Sequence, residues 1–170
     1  MSIDRYNQCN IAKRWLKRGD DTKDIFAQFF FYFTGFNAMY IIEKEKLTKT
    51  IGEEPSERKL IENLLAKFNK RSQEIIKKIK PSIEYFGFTH NPIINMNNDN
   101  TSWGETNQKI LRNNEKSEKM AEEKIIALSQ IIYTVRCNLY HGNKDVSGDD
   151  IEIVENCIEP LKVFLKEALN

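Results

Sequence analysis

Apolar residues recur at steps of three and four along most of this chain, and no stretch of any length alternates with a period of two. That pattern predicts helices and no sheet. Residues 8–18 read as a short helix carrying Lys13, Arg14, Lys17 and Arg18. Gly19-Asp20-Asp21 is expected to stop it, with one of these two aspartates capping the next helix. That next helix runs from about Thr22 to Lys46, where Phe26, Phe29, Phe30, Phe33, Phe36 and Tyr40 recur at helical spacing. Phe31 and Tyr32 carry its apolar surface further round the cylinder. A helix apolar on nearly all sides needs more than one packing partner. The core supplies one, and a second subunit is expected to supply another.

A further helix begins near Pro55-Ser56 and buries Leu60, Ile61, Leu64, Leu65, Phe68, Ile75, Ile76 and Ile79, with Pro81 marking its end. Residues 85–106 lose periodicity and read as a long loop, with Gly87, Asn91-Pro92 and Trp103-Gly104 as breakers. From about Asn107 to Tyr140 the seam Ala121, Ile125, Leu128, Ile132, Val135 and Leu139 predicts one long helix, with Gly142 at its left-handed stop. A last helix follows Asp149-Asp150 on the stripe Ile151, Val154, Cys157, Ile158, Leu161, Phe164 and Leu165, kinked at Pro160. The expected fold is all-α, an antiparallel four- to five-helix bundle forming a single domain over residues 1–170.

Composition narrows the function classes. The formal net charge is +1, so any polyanion site is a local patch. Cys9, Cys137 and Cys157 form no CxxC pair and read as free thiols of a reducing cytosol. The N-terminal residues lack a signal-peptide layout, which points to a cytoplasmic protein. Residues 25–42 carry no charge and approach the length of a membrane span. Their aromatic character, with Gln28, Thr34, Gly35 and Asn37 among them, favours a buried helix, so no membrane partner is expected.

The chemistry concentrates in Arg136-Cys-Asn138-Leu-Tyr-His141-Gly142. A permanent cation and a titratable imidazole lie five residues apart near a helix end. On a continuing helix they stand roughly 140° apart, at about 100° per residue. One chain converges them only partly, whereas a twofold dimer brings two copies of the pair together. Metal-free RNA cleavage needs a base for the 2′-hydroxyl, an acid for the leaving oxygen and stabilisation of the phosphorane charge. Histidines can share the proton transfers while arginine clamps the phosphate. The same residues also suit a plain helix C-terminal cap. Asn138 can orient His141 or a phosphate, or bond the helix end. The Cys137/His141 spacing suits a thiol–imidazole pair or half a metal site, but two ligands do not make a zinc site and a buried structural cysteine is the better reading. His90 reads as a loop side chain bonded to turn backbone, with contact to substrate as the alternative.

This stretch resembles the Rx4–6H motif of HEPN domains, and Phe36-Asn37-Ala38-Met39-Tyr40 is similar to a stretch found in several members. Where many active members have a polar residue directly after the arginine, this chain has Cys137. The resemblance implies a homodimeric, metal-independent endoribonuclease of a toxin–antitoxin or defence system, with no cofactor. Arg136, His141 and Asn138 are its implied catalytic residues. Asn37, Lys13, Arg14, Lys17 and Arg18 are candidates for holding RNA. An antitoxin or regulatory protein is a further expected partner. The alternative is a non-catalytic HEPN-like module that binds a nucleotide, RNA or a protein.

Overall fold

A computed structural model describes residues 4–94, 101–140 and 148–170. Every regular element among them is helical, so the all-α class holds. The packing divides into two compact units: the chain through Phe68 joined by Leu161–Asn170, and Asn69–Pro160.

The first unit is built on α1 (Arg5–Asp21) and α2 (Ile25–Tyr40). Asp4 caps α1 through the Tyr6 amide, and Asp24 caps α2 through the Ala27 amide. The expected stop at Gly19-Asp20-Asp21 and the cap expected from one of its aspartates are therefore both corrected, because these residues lie inside α1 and Asp24 is the cap of α2. Gly19 is a point of close approach rather than a breaker. A Cβ there would sit 2.2 Å from Cε1 of the Tyr32 ring. The buried face of α2 is Phe29, Tyr32, Phe33, Phe36 and Tyr40, while Phe30 is 40% exposed. Phe30, expected in the seam, lies about 100° round the helix from Phe29 and outside the buried arc. Ile25–Ile51 is long and apolar enough to cross a membrane by length and composition, and part of it is buried within the protein.

The chain passes through a 3₁₀ turn (Ile41–Glu43) into α3 (Lys44–Ile51), which Gly52 ends in the left-handed conformation at φ 77°. Ser56 then caps α4 (Glu57–Leu65), whose Leu60, Ile61, Leu64 and Leu65 are buried. Within the same unit the Tyr40 hydroxyl donates to Glu57. Buried Glu43 accepts from Asn63 and pairs with Lys67.

A polar cluster locks α1 to α2 and to the last turns of α9 (Gly148–Leu169). The Tyr32 hydroxyl donates to Asp20 at 2.8 Å, and Lys162 reaches the same carboxylate at 2.6 Å. Burial works against the Asp20 charge, but the bonds from Lys162 and Tyr32 outweigh it and hold its pKa below the ordinary value. Burial, then the bond to Asp20, pushes Tyr32 up to about 12. The Asp20 contribution is thus present above its unfolded pKa and is lost as pH falls through the folded one. The Tyr32 contribution is complete below its unfolded value of 10.0 and is lost as pH rises toward about 12. Tyr32→Phe is expected to cost about 1.5 kcal/mol at neutral pH, the low end for a hydrogen bond to a charged group because the Asp20 carboxylate is partly open to solvent. It should also remove the Tyr32 part of the alkaline loss, which urea unfolding at a series of pH values measures.

The second unit departs further from the sequence expectation. The helix expected to run unbroken to Pro81 is interrupted by a 3₁₀ stretch (Ala66–Arg71), which begins in the first unit and ends in this one. The Asn69 side chain accepts from the Lys70 amide there and so competes with regular helix bonding. The chain resumes as α5 (Ser72–Lys78) and α6 (Lys80–Glu84), with Pro81 in the first turn of α6 rather than at a terminus. The expected 85–106 loop is likewise corrected. Tyr85–Thr89 is a π-helical turn, and α7 covers Thr101–Arg112. Gly104 is no loop residue: a Cβ there would lie 2.5 Å from the Ile93 carbonyl oxygen, so glycine allows α7 to approach that backbone.

The expected 107–140 helix is two, α7 and α8 (Glu118–Tyr140). Asn113 closes a turn by accepting from the Glu115 amide, and Ser117 caps α8 by accepting from the Met120 amide. The α8 seam from Ala121 through Val135 is buried as expected. The chain keeps its α-helical assignment through Pro160 in α9. Val154, Cys157, Leu161, Phe164 and Leu165 of the expected stripe are buried, whereas Ile151 is exposed.

Candidate functional site

The C-terminal turns of α8 present the motif residues on different faces. Val135 and Cys137 are buried, and burial of Cys137 agrees with a structural thiol. Arg136 is half-buried, with its guanidinium carbon 4.8 Å above the Tyr140 ring. This cation–π contact, one helical turn long, holds the cation at the helix's carbonyl end, where a positive charge is favoured. Burial raises the Tyr140 pKa, and the Arg136 charge opposes the rise. A guanidinium is a planar fork of N–H donors, the geometry that suits a phosphate.

Asn138 lies in the packed interior at 5% exposure. Its Nδ2 donates to the Ile94 carbonyl at 2.8 Å, a contact 44 residues away in sequence. Around it Ile93, Val135, Leu139, Asp150, Ile153 and Val154 enclose only about 10 Å³. That is room for roughly one water and no ligand. Asn138 thus fixes the backbone at Ile94 from the buried side of α8. Its partner segment is held elsewhere too. Gln108 donates to the carbonyls of Phe86 and His90, at 3.1 and 2.6 Å. Arg112 donates to the Gly87 carbonyl. His90 Nδ1 lies 2.5 Å from the Asn91 carbonyl, the backbone-bonded role expected for a loop histidine. Asn138→Ala removes the buried donor that ties α8 to the exposed Ile94 segment. A loss of about 0.5–1.5 kcal/mol, the net worth of one hydrogen bond, is expected and read from the urea midpoint.

His141 and Gly142 lie outside the described residues. Asn37 is half-buried on α2 in the first unit. Of the basic residues on α1, Lys17 is tied to Asp21 at 2.6 Å, while Lys13, Arg14 and Arg18 are exposed. Sequence reasoning missed Tyr140 as the partner of Arg136, although the i, i+4 spacing signalled it. It also missed Ile94, for which sequence carries no signal. Among the described residues, no three His, Cys, Asp or Glu side chains gather as a metal site.

Comparison with family models, with curated proteins and with solved structures finds no match to this chain.

Proposed function

We propose that this chain is a HEPN-like, metal-independent endoribonuclease that cuts single-stranded or loop RNA at a homodimer interface, as a toxin or defence effector. The observation that carries the reading is Arg136, partly open to solvent at the end of α8 and held over Tyr140, with His141 next in sequence after that helix. In this reading Arg136 binds the scissile phosphate and stabilises the charge that develops on it. His141 moves the protons, its counterpart on the second copy sharing the acid and base roles. Asn138 sets the backbone around the motif through Ile94. The products are a 2′,3′-cyclic phosphate and a 5′-hydroxyl. The all-helical fold supports the reading at the level of class, and the finer arrangement proposed is an antiparallel HEPN-like bundle. The test is cleavage of a mixed RNA pool in excess EDTA by wild type and by His141→Ala.

A second reading is a non-catalytic HEPN-like module that binds RNA, a nucleotide or a protein. It is favoured by the stacking of Arg136 on Tyr140 and by burial of Cys137 directly after it. Binding of RNA without cleavage by wild type would select it.

A further inference from the structure

One side of the α1–α2 hairpin gathers aromatic rings next to cations that make no ion pair among the described residues. Ile11, Arg14, Trp15 and Arg18 line a hollow of about 210 Å³ along one side of α1. Trp15 stacks on Phe31 at 5.5 Å between centroids, and it meets Phe30 edge-on at 6.0 Å. Arg18 lies over the Trp15 ring, 5.2 Å from its centroid. Phe30 is left 40% exposed at the edge of this aromatic group. Arg14 bonds only a backbone carbonyl, that of Asn10. Among the described residues, Lys13, Arg14 and Arg18 make no ion pair, whereas Lys17 is neutralised by Asp21.

We propose that this face is a docking site for single-stranded RNA, with a base stacking on Phe30 beside Trp15 and with Arg14 and Arg18 taking phosphates. It rests on the ribonuclease reading only for the kind of nucleic acid. Flat rings flanked by cations are what an unpaired strand requires, since every base offers a π-face and every linkage a negative charge. Arg14 and Arg18 stand four residues apart on one side of the helix, roughly 6 Å along its axis. Two arginines so placed can grip successive parts of one backbone while the ring beside them holds a base. A second copy of the chain fits less well. A twofold contact through this face would set Arg14 and Arg18 against their own copies, and like charges so juxtaposed are costly. An anionic membrane answers the charge but not the ring geometry, because of Ile11, Trp15, Phe30 and Phe31 only Phe30 is exposed.

The experiment uses the full chain with His141→Ala, so that RNA stays intact, and a short fluorescein-labelled oligouridylate. Anisotropy gives Kd across a salt series. Arg14→Gln/Arg18→Gln is expected to weaken binding at least tenfold and to lower the slope of log Kd against log salt by about 1.4, from two phosphates at ~0.7 each. Phe30→Ala is expected to weaken it about tenfold with the salt slope unchanged. Circular dichroism reports whether each variant folds, and Phe30→Leu, which keeps apolar packing and removes the ring, is the substitute if Phe30→Ala does not. Unchanged Kd and slope in the folded variants overturn the proposal. So does a change in sedimentation alone, which would make this face a contact between copies. Binding to phosphatidylserine vesicles without binding to oligouridylate overturns it as well. The two readings fail separately. RNA binding through this face by a chain that never cuts removes the nuclease and keeps the dock. Cutting and binding that are both indifferent to these substitutions remove the dock and keep the nuclease.

Discussion

His141→Ala is expected to lower RNA cleavage in excess EDTA by roughly 10²- to 10⁴-fold, the usual contribution of a positioned general acid or base. Arg136→Ala should lose a similar factor, through charge left unstabilised on the phosphorane. Arg136→Lys should recover little, because an ammonium cannot clamp two oxygens or lie flat on Tyr140 as a guanidinium does. Wild-type products should carry a 2′,3′-cyclic phosphate and a 5′-hydroxyl, which end-labelling and mass analysis resolve. Equal cutting by wild type and His141→Ala would place the activity outside this motif. If neither cuts but both bind RNA, the non-catalytic module is the better reading. Arg136→Met carries a readout independent of activity. It keeps a side chain over the ring and removes the opposing charge, so Tyr140 should titrate higher still.

Gly19→Ala is the second large effect, and its sign runs against helix propensity. Alanine in place of glycine inside a helix ordinarily stabilises by about 1 kcal/mol. At Gly19 the added methyl would lie 2.2, 2.6 and 2.8 Å from three atoms of the Tyr32 ring. That ring cannot step aside cheaply, because its hydroxyl is bonded to Asp20 and the residue is only 1% exposed. Overpacking of this kind costs about 1–3 kcal/mol, and the loss of ring position puts the Asp20 bond at risk as well. The expected net result is destabilisation by about 2–3 kcal/mol, measured by the urea midpoint. A stabilised Gly19→Ala protein would mean that the α1–α2 contact is looser than this packing requires.

Gly19 and Gly104 also show where reading by residue type stops. Each is a breaker on the page of the sequence, and each lies inside a helix where a neighbour comes too close for a Cβ. Glycine permits both a turn and a close approach, and only the neighbour decides between them. The Asn113–Ser117 break is different, because its signals were present. An asparagine turn followed by a serine cap is a legible helix boundary, and the apolar seam on its far side masked it. In the site, Arg136 and its i, i+4 partner Tyr140 were open to sequence reasoning. The bond from Asn138 to Ile94 was not, because it joins residues 44 positions apart.

The sequence by itself determined that the chain is helical and which residues of α4, α8 and the later part of α9 face inward. A buried stripe has to repeat near 3.6 residues, so it can be counted without a partner in view. It also singled out Arg136 and His141, since a cation and an imidazole so spaced are chemically conspicuous in any fold. Only the tertiary structure decided which arc of the Phe-rich α2 is buried, leaving Phe30 exposed beside Trp15 while Tyr32 is enclosed. A helix apolar on nearly every side carries no phase information of its own. Its orientation is set by the α1 surface packed against it and by the Asp20–Tyr32–Lys162 cluster, whose members are distant in sequence.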